Sequence, residues 1–145
     1  MSNFPDAYIY PKEWRPLRDL LRKRPLLVKT KTQYMLSYIN LVNRNLGISI
    51  GGNQVKKLSD EDLEEMLENE YLILSGKANI SVMNHLKKEI RKLAKAILRV
   101  GRLRPEFKRL LTIPGVGEVI ALTICLEIGT LSRFKNVGNY VSYCR

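Results

Sequence analysis

Residues 110–129 read LLTIPGVGEVIALTICLEIG, and their unusual feature is four residues with little side-chain chemistry, Pro114, Gly115, Val116 and Gly117, between two apolar helical runs. Glycine passes close to other surfaces and tolerates positive φ, so Gly115 and Gly117 are both expected in that conformation. The backbone amides of Val116, Gly117 and Glu118 would then face outward at the start of the next helix. Aligned peptide dipoles favour an anion there, and a phosphate can be held without any side chain. Lys108 and Arg109, one to two turns upstream, add positive charge. Contacts of this kind position a nucleic acid but read no bases. In this reading Leu110, Leu111, Ile113, Val119, Ile120 and Leu122 hold the two helices together. The alternative is a tight turn in a helical domain whose glycines only permit close packing.

A second set of candidates lies near the N-terminus. KEWRPLRDLLRKRPLLVKTK carries eight basic and two acidic residues, and Arg15, Arg18, Arg22 and Arg24 are its candidate nucleic-acid contacts. A solvated helix face explains the same run equally well. Trp14, Tyr34 and Tyr38 can stack on exposed bases or fill a core. The remaining chemistry is sparse. His85 is the single histidine and has no evident catalytic partner. Asp60, Glu61, Asp62, Glu64, Glu65, Glu68 and Glu70 crowd one helix, whereas hard-cation nuclease sites gather carboxylates from separate elements. Ser132 and Ser142 lack an activating neighbour, so no nucleophile, and no catalytic residue, is assigned. With no Cys-x-x-Cys and one histidine, no metal or other cofactor is expected in this chain.

The wider composition agrees with an anionic partner. In 145 residues, 25 Lys plus Arg against 14 Asp plus Glu give a net charge of +11, which points to nucleic acid or an anionic membrane. Cys125 and Cys144 do not make a disulfide framework and are read as reduced. MSNFPDAYIY has no basic start followed by an apolar core, and no stretch approaches a membrane span, so a cytoplasmic protein is expected.

These residues have to be positioned by helices. The opening to about Pro11 reads as an extended lead-in. A long helix follows with apolar residues at three-to-four spacing from Leu17 to Val42, a kink or split at Pro25, and a cap at Gly47. Residues 47–58 read as a loop. Ser59 then caps a helix over SDEDLEEMLENEYLIL, which ends at the SGKAN break. Residues 81–100 form an amphipathic helix capped by Gly101, whose stripe can pair with the first helix as an antiparallel coiled coil. Pro105 starts a short helix, and a further helix runs from about Glu118 to Gly129. The expected fold is all-α: a helical, coiled-coil-like region over 1–102, followed by a helix-hairpin-helix unit over 103–145.

The stretch LLTIPGVGEVIALTICLEIGTLSRFKNVGNYVSYCR resembles the start of the C-terminal domain of bacterial insertion-sequence transposases of the family numbered one-ten, one-sixteen and nine-oh-two. The residues that carry the resemblance are Leu110, Ile113, Pro114, Gly115, Val116, Gly117, Ala121, Glu127, Ile128, Gly129, Arg133, Phe134 and Tyr143. Upstream, YIYPKEWRPLRDLLRKRPLLVKTKTQYMLSYINLV is similar to the family's helical segment, with Arg15, Leu17, Arg22 and Arg24 in its pattern. The resemblance implies DNA as partner, a structured guide RNA, and pairing of copies through the helical region. It also implies a RuvC-like nuclease domain with an Asp-Glu-Asp-Asp site for Mg, and a serine nucleophile. Neither is expected here: Asp6 has no matching carboxylates, and Ser132 and Ser142 do not occupy the serine's place. The expectation is a DNA-binding fragment of a transposase, inactive alone. A stand-alone DNA-binding accessory protein and a helical protein-interaction module are the alternatives.

Overall fold

The computed structural model describes residues 8–144, and every regular element among them is helical. In chain order these are α1 (Arg15–Leu46), α2 (Gly52–Val55), α3 (Asp60–Met66), α4 (Glu70–Gly101), α5 (Pro105–Leu110), α6 (Glu118–Ile128) and α7 (Val137–Tyr143), with short 3-10 turns at Lys12–Trp14 and Leu131–Arg133. The chain divides into two compact units, one of residues 22–93 and one of residues 1–21 with 94–145.

In the first unit the two long helices pack together. Tyr38, Leu41 and Val42 of α1 meet Ile80 and Met83 of α4, with Val55, Leu63 and Leu67 completing the core. Fully burying Leu63 and Leu67 contributes roughly 1.5–3 kcal/mol each. The cap at Ser59 forms as expected: its Oγ accepts from the Asp62 amide at 3.2 Å, while the Asp62 carboxylate accepts from the Ser59 amide at 2.7 Å. Those hydrogen bonds hold the Asp62 carboxyl below its ordinary range. Gly47 ends α1 with φ +66°, also as expected.

Three sequence expectations are corrected here. Pro25, expected to kink or split this helix, lies inside α1 without splitting it, because its ring removes one backbone bond from a helix 32 residues long. The acidic helix stops at Met66 and a new one starts at Glu70, where the Asn69 side chain accepts from the amides of Tyr71 and Leu72 at 3.0 and 3.3 Å. The SGKAN stretch is not a break, since α4 runs through it. Gly76 is buried, and a Cβ there would stand 3.3 Å from both Tyr38 Cε2 and Leu67 Cδ1. Its missing side chain makes room for a tyrosine ring.

The second unit is built on α6, which buries Ala121, Leu122, Cys125, Leu126 and Ile128 and packs with α5, whose Phe107 is buried. Of the residues expected to hold the two helices together, Leu122 is buried and Leu110 and Val119 are half-buried, whereas Leu111, Ile113 and Ile120 are exposed and lie outside the core. Tyr8 and Tyr10 belong to this unit: the buried Tyr10 hydroxyl donates to the Leu126 carbonyl at 2.6 Å, and Tyr8 packs edge-on against Tyr10.

Candidate nucleic-acid interface

The turn between α5 and α6 closes through the Val116 amide, which donates to the Ile113 carbonyl at 3.0 Å. Pro114 precedes Gly115, which takes φ +85°, the arrangement a type II turn requires. Gly117 differs from expectation. Its φ is −82° and ψ 172°, an extended N-cap open to any residue. The Val116 amide is likewise spent inside the turn, so it does not face outward for a phosphate. What stays open is the first turn of α6, beginning at Glu118. The amides of Glu118, Val119 and Ile120 have no intrahelical acceptor, the Ala121 amide donates to the Gly117 carbonyl at 3.0 Å, and Gly117 supplies no side-chain cap.

A cation from the segment before α5 reaches this helix start. Arg102 reaches Glu118, with Nη2 and Oε1 2.8 Å apart. Arg102, Arg104, Lys108 and Arg109, with Leu103 and Pro105, line a cleft of about 540 Å³. Lys108 and Arg109 are exposed, and they sit in the last turn of α5, where the helix dipole favours positive charge. Arg104 is held more firmly, its guanidinium 4.1 Å above the Trp14 ring and its Nη1 donating to the Cys125 carbonyl at 3.3 Å. Arg102 and Arg104 escaped the sequence reading. The signal was present, since residues 98–110 carry five basic residues and one acidic.

The four N-terminal arginines all lie on α1. Arg15 donates from Nε to the Tyr10 carbonyl at 3.1 Å. Arg18 pairs with Glu127 at 2.8 Å and lies 4.6 Å from the Tyr10 ring centre. Both belong to the unit that carries α5 and α6, whereas Arg22 and Arg24 belong to the other. Arg22 is exposed, and Arg24 is half-buried with its Nε enclosed. Of the aromatic candidates, Tyr38 is wholly buried and so presents no stacking face, while Trp14 is half-buried with Arg104 against its ring. Tyr34 is exposed.

Beside the turn lies an apolar cavity of about 300 Å³, lined by Leu110, Ile113, Ile124, Cys125 and Ile128 among others. Burial pushes the Cys125 thiol up, which disfavours the reactive thiolate. Both cysteines are free. His85 is exposed in a shallow depression with Asp60 and Lys88. Among the described residues no three His, Cys, Asp or Glu side chains gather to hold a metal ion, and Asp6 lies outside the described residues. No helix among them is long and apolar enough to cross a membrane.

Searches of curated proteins and of solved structures gave no match. The family model described as the transposase IS116/IS110/IS902 family matches residues 107–145, the stretch that holds most of α5, the Ile113–Val116 turn, α6 and α7, and over that stretch the chain is similar to those transposases.

Proposed function

We propose that this chain serves as a DNA-binding part of an insertion-sequence transposase, with its role in DNA transposition. The observation that carries the reading is the cleft of Arg102, Arg104, Lys108 and Arg109, which Arg102 links to the start of α6 through Glu118. Cations beside open helix-start amides offer two complementary ways to hold a phosphate. Glu118 is a resident carboxylate at that point, and a bound phosphate would replace it as the partner of Arg102. In this reading α5, the turn and α6 act as a helix-hairpin-helix that grips backbone and leaves sequence choice elsewhere. A structured guide RNA as second ligand and pairing of two copies through the helical region belong to the same proposal.

The test is binding of the purified chain to short duplex DNA and to structured RNA across a salt series. Affinity should fall steeply with salt, and Lys108→Ala and Arg109→Ala should each reduce the slope by about one. A slope unchanged by both substitutions would move the phosphate contacts away from this cleft. No salt-sensitive binding at all would favour a protein-interaction role.

A further inference from the structure

We infer that Leu103 is an apolar wedge that enters the minor groove of duplex DNA between phosphates held by the cations around it. The inference rests on the nucleic-acid reading above and adds a mode of engagement to it. Leu103 is 83% exposed, ahead of Ile9 at 77% and Val137 at 76% among the exposed large hydrophobics. A single exposed leucine is ordinary on a protein surface, so the weight of the argument falls on its setting.

That setting is rigid. The amides of Arg102, Leu103 and Arg104 donate in succession to the carbonyls of Leu98, Val100 and Gly101 at 3.0, 3.2 and 3.0 Å. Gly101 beneath them is buried against Leu122, and Pro105 fixes the next φ. The backbone that carries the side chain is therefore already ordered, which leaves only the leucine's own rotamers to fix on binding. Leu103 is also surrounded by charge, because the cleft wall it shares carries Arg102, Arg104, Lys108 and Arg109. An apolar protein pocket closing over Leu103 would have to desolvate those cations. Duplex DNA does the opposite: its phosphates meet the cations while the groove floor and base steps accept the apolar group. Leucine is among the side chains that wedge between base steps from the minor groove and kink the duplex.

The experiment uses the full chain and a duplex carrying a dye at each end, so that energy transfer reports bending while anisotropy reports affinity across a salt series. The parent should bind with a steep salt slope and shorten the end-to-end distance. Leu103→Ala, an exposed substitution whose fold is checked by circular dichroism, should keep the slope, lose the bend and weaken binding about tenfold. Lys108→Ala combined with Arg109→Ala should instead lower the slope. If Leu103→Ala binds and bends DNA like the parent, the wedge is wrong while the cleft reading stands. Should the parent show no salt-sensitive affinity for DNA, or bind anionic vesicles in preference to it through Leu103, both readings fall.

Discussion

A side chain on Gly101 would run directly into Leu122: a Cβ built there overlaps the Leu122 Cδ2 methyl. Leu122 is 2% exposed and cannot easily turn aside. The glycine at the end of α4 therefore serves close packing, and its φ does not lie in the left-handed region, as a terminating glycine's would. Gly101→Ala should cost about 1–3 kcal/mol through overpacking, and Leu122→Ala about 2–5 kcal/mol through the cavity left behind. Combined, they should cost clearly less than the sum, because the smaller residue at 122 makes room for the alanine. Denaturant unfolding of the three variants measures this, and simple additivity would refute the steric account.

Gly115 and Gly117 look equivalent in Pro-Gly-Val-Gly, and the structure separates them. Neither has an atom within 4 Å of where a Cβ would sit, but only Gly115 has positive φ. Gly115→Ala should cost about 1–2 kcal/mol from backbone strain alone. Gly117→Ser should leave stability unchanged or raise it by up to about 1 kcal/mol, since serine at an N-cap can accept from the first turn of the helix. The same serine would compete for the amides assigned to phosphate, so Gly117→Ser should weaken DNA binding while thermal stability holds or rises. Equal destabilisation by the two substitutions would show that the turn does not depend on φ.

Features that depend on a residue's own chemistry were legible in the sequence. Ser59 caps because its hydroxyl and Asp62 satisfy each other locally, Pro105 opens a helix because its missing amide is not needed there, and Gly47 and Gly129 end helices with positive φ. What failed were glycines whose role is set by a distant neighbour. Gly76 answers to Tyr38 and Gly101 to Leu122, and a window along the chain shows neither partner. The basic cleft was half legible for the same reason. Lys108 and Arg109 stood out by lying beside the turn, whereas the tie between Arg102 and the start of α6 is an ion pair with Glu118, 16 residues away. The docking of Tyr10 on Leu126 spans 116 residues, beyond the reach of any local pattern.

Arg133 sits in an aromatic cage, its guanidinium 4.2 Å from the ring centre of Tyr8 and 4.3 Å from those of Phe134 and Tyr143. Its Nε and Nη2 are enclosed without a hydrogen-bond acceptor, so stacking on the rings has to offset two unsatisfied donors. Methionine keeps a flexible, polarizable group among the rings and brings no donors. Arg133→Met should therefore stay within about 1 kcal/mol of the parent, and Arg133→Ala should lose about 2 kcal/mol with the ring contacts. Thermal melts of both variants distinguish this from a role carried by charge, in which the two would lose equally.

Tyr10 and Tyr38 make an opposed pair. Burial raises both phenols above their ordinary 10.0; at Tyr10 the nearby Arg104 and Arg18 pull partly the other way. A raised folded value means that each neutral phenol contributes stability in full below about pH 10, lost as pH climbs through the higher folded value. Replacing either by phenylalanine should therefore flatten the alkaline fall in stability. At neutral pH they part company. The Tyr10 hydroxyl donates to the Leu126 carbonyl at 2.6 Å, so Tyr10→Phe should cost about 1 kcal/mol and leave that carbonyl short of a donor. The Tyr38 hydroxyl is buried with no partner, so Tyr38→Phe should be neutral or stabilising by about 1 kcal/mol. Denaturant melts at pH 7 and across the alkaline limb decide the matter: a loss from Tyr38→Phe as large as that from Tyr10→Phe would mean that the Tyr38 hydroxyl has an acceptor after all.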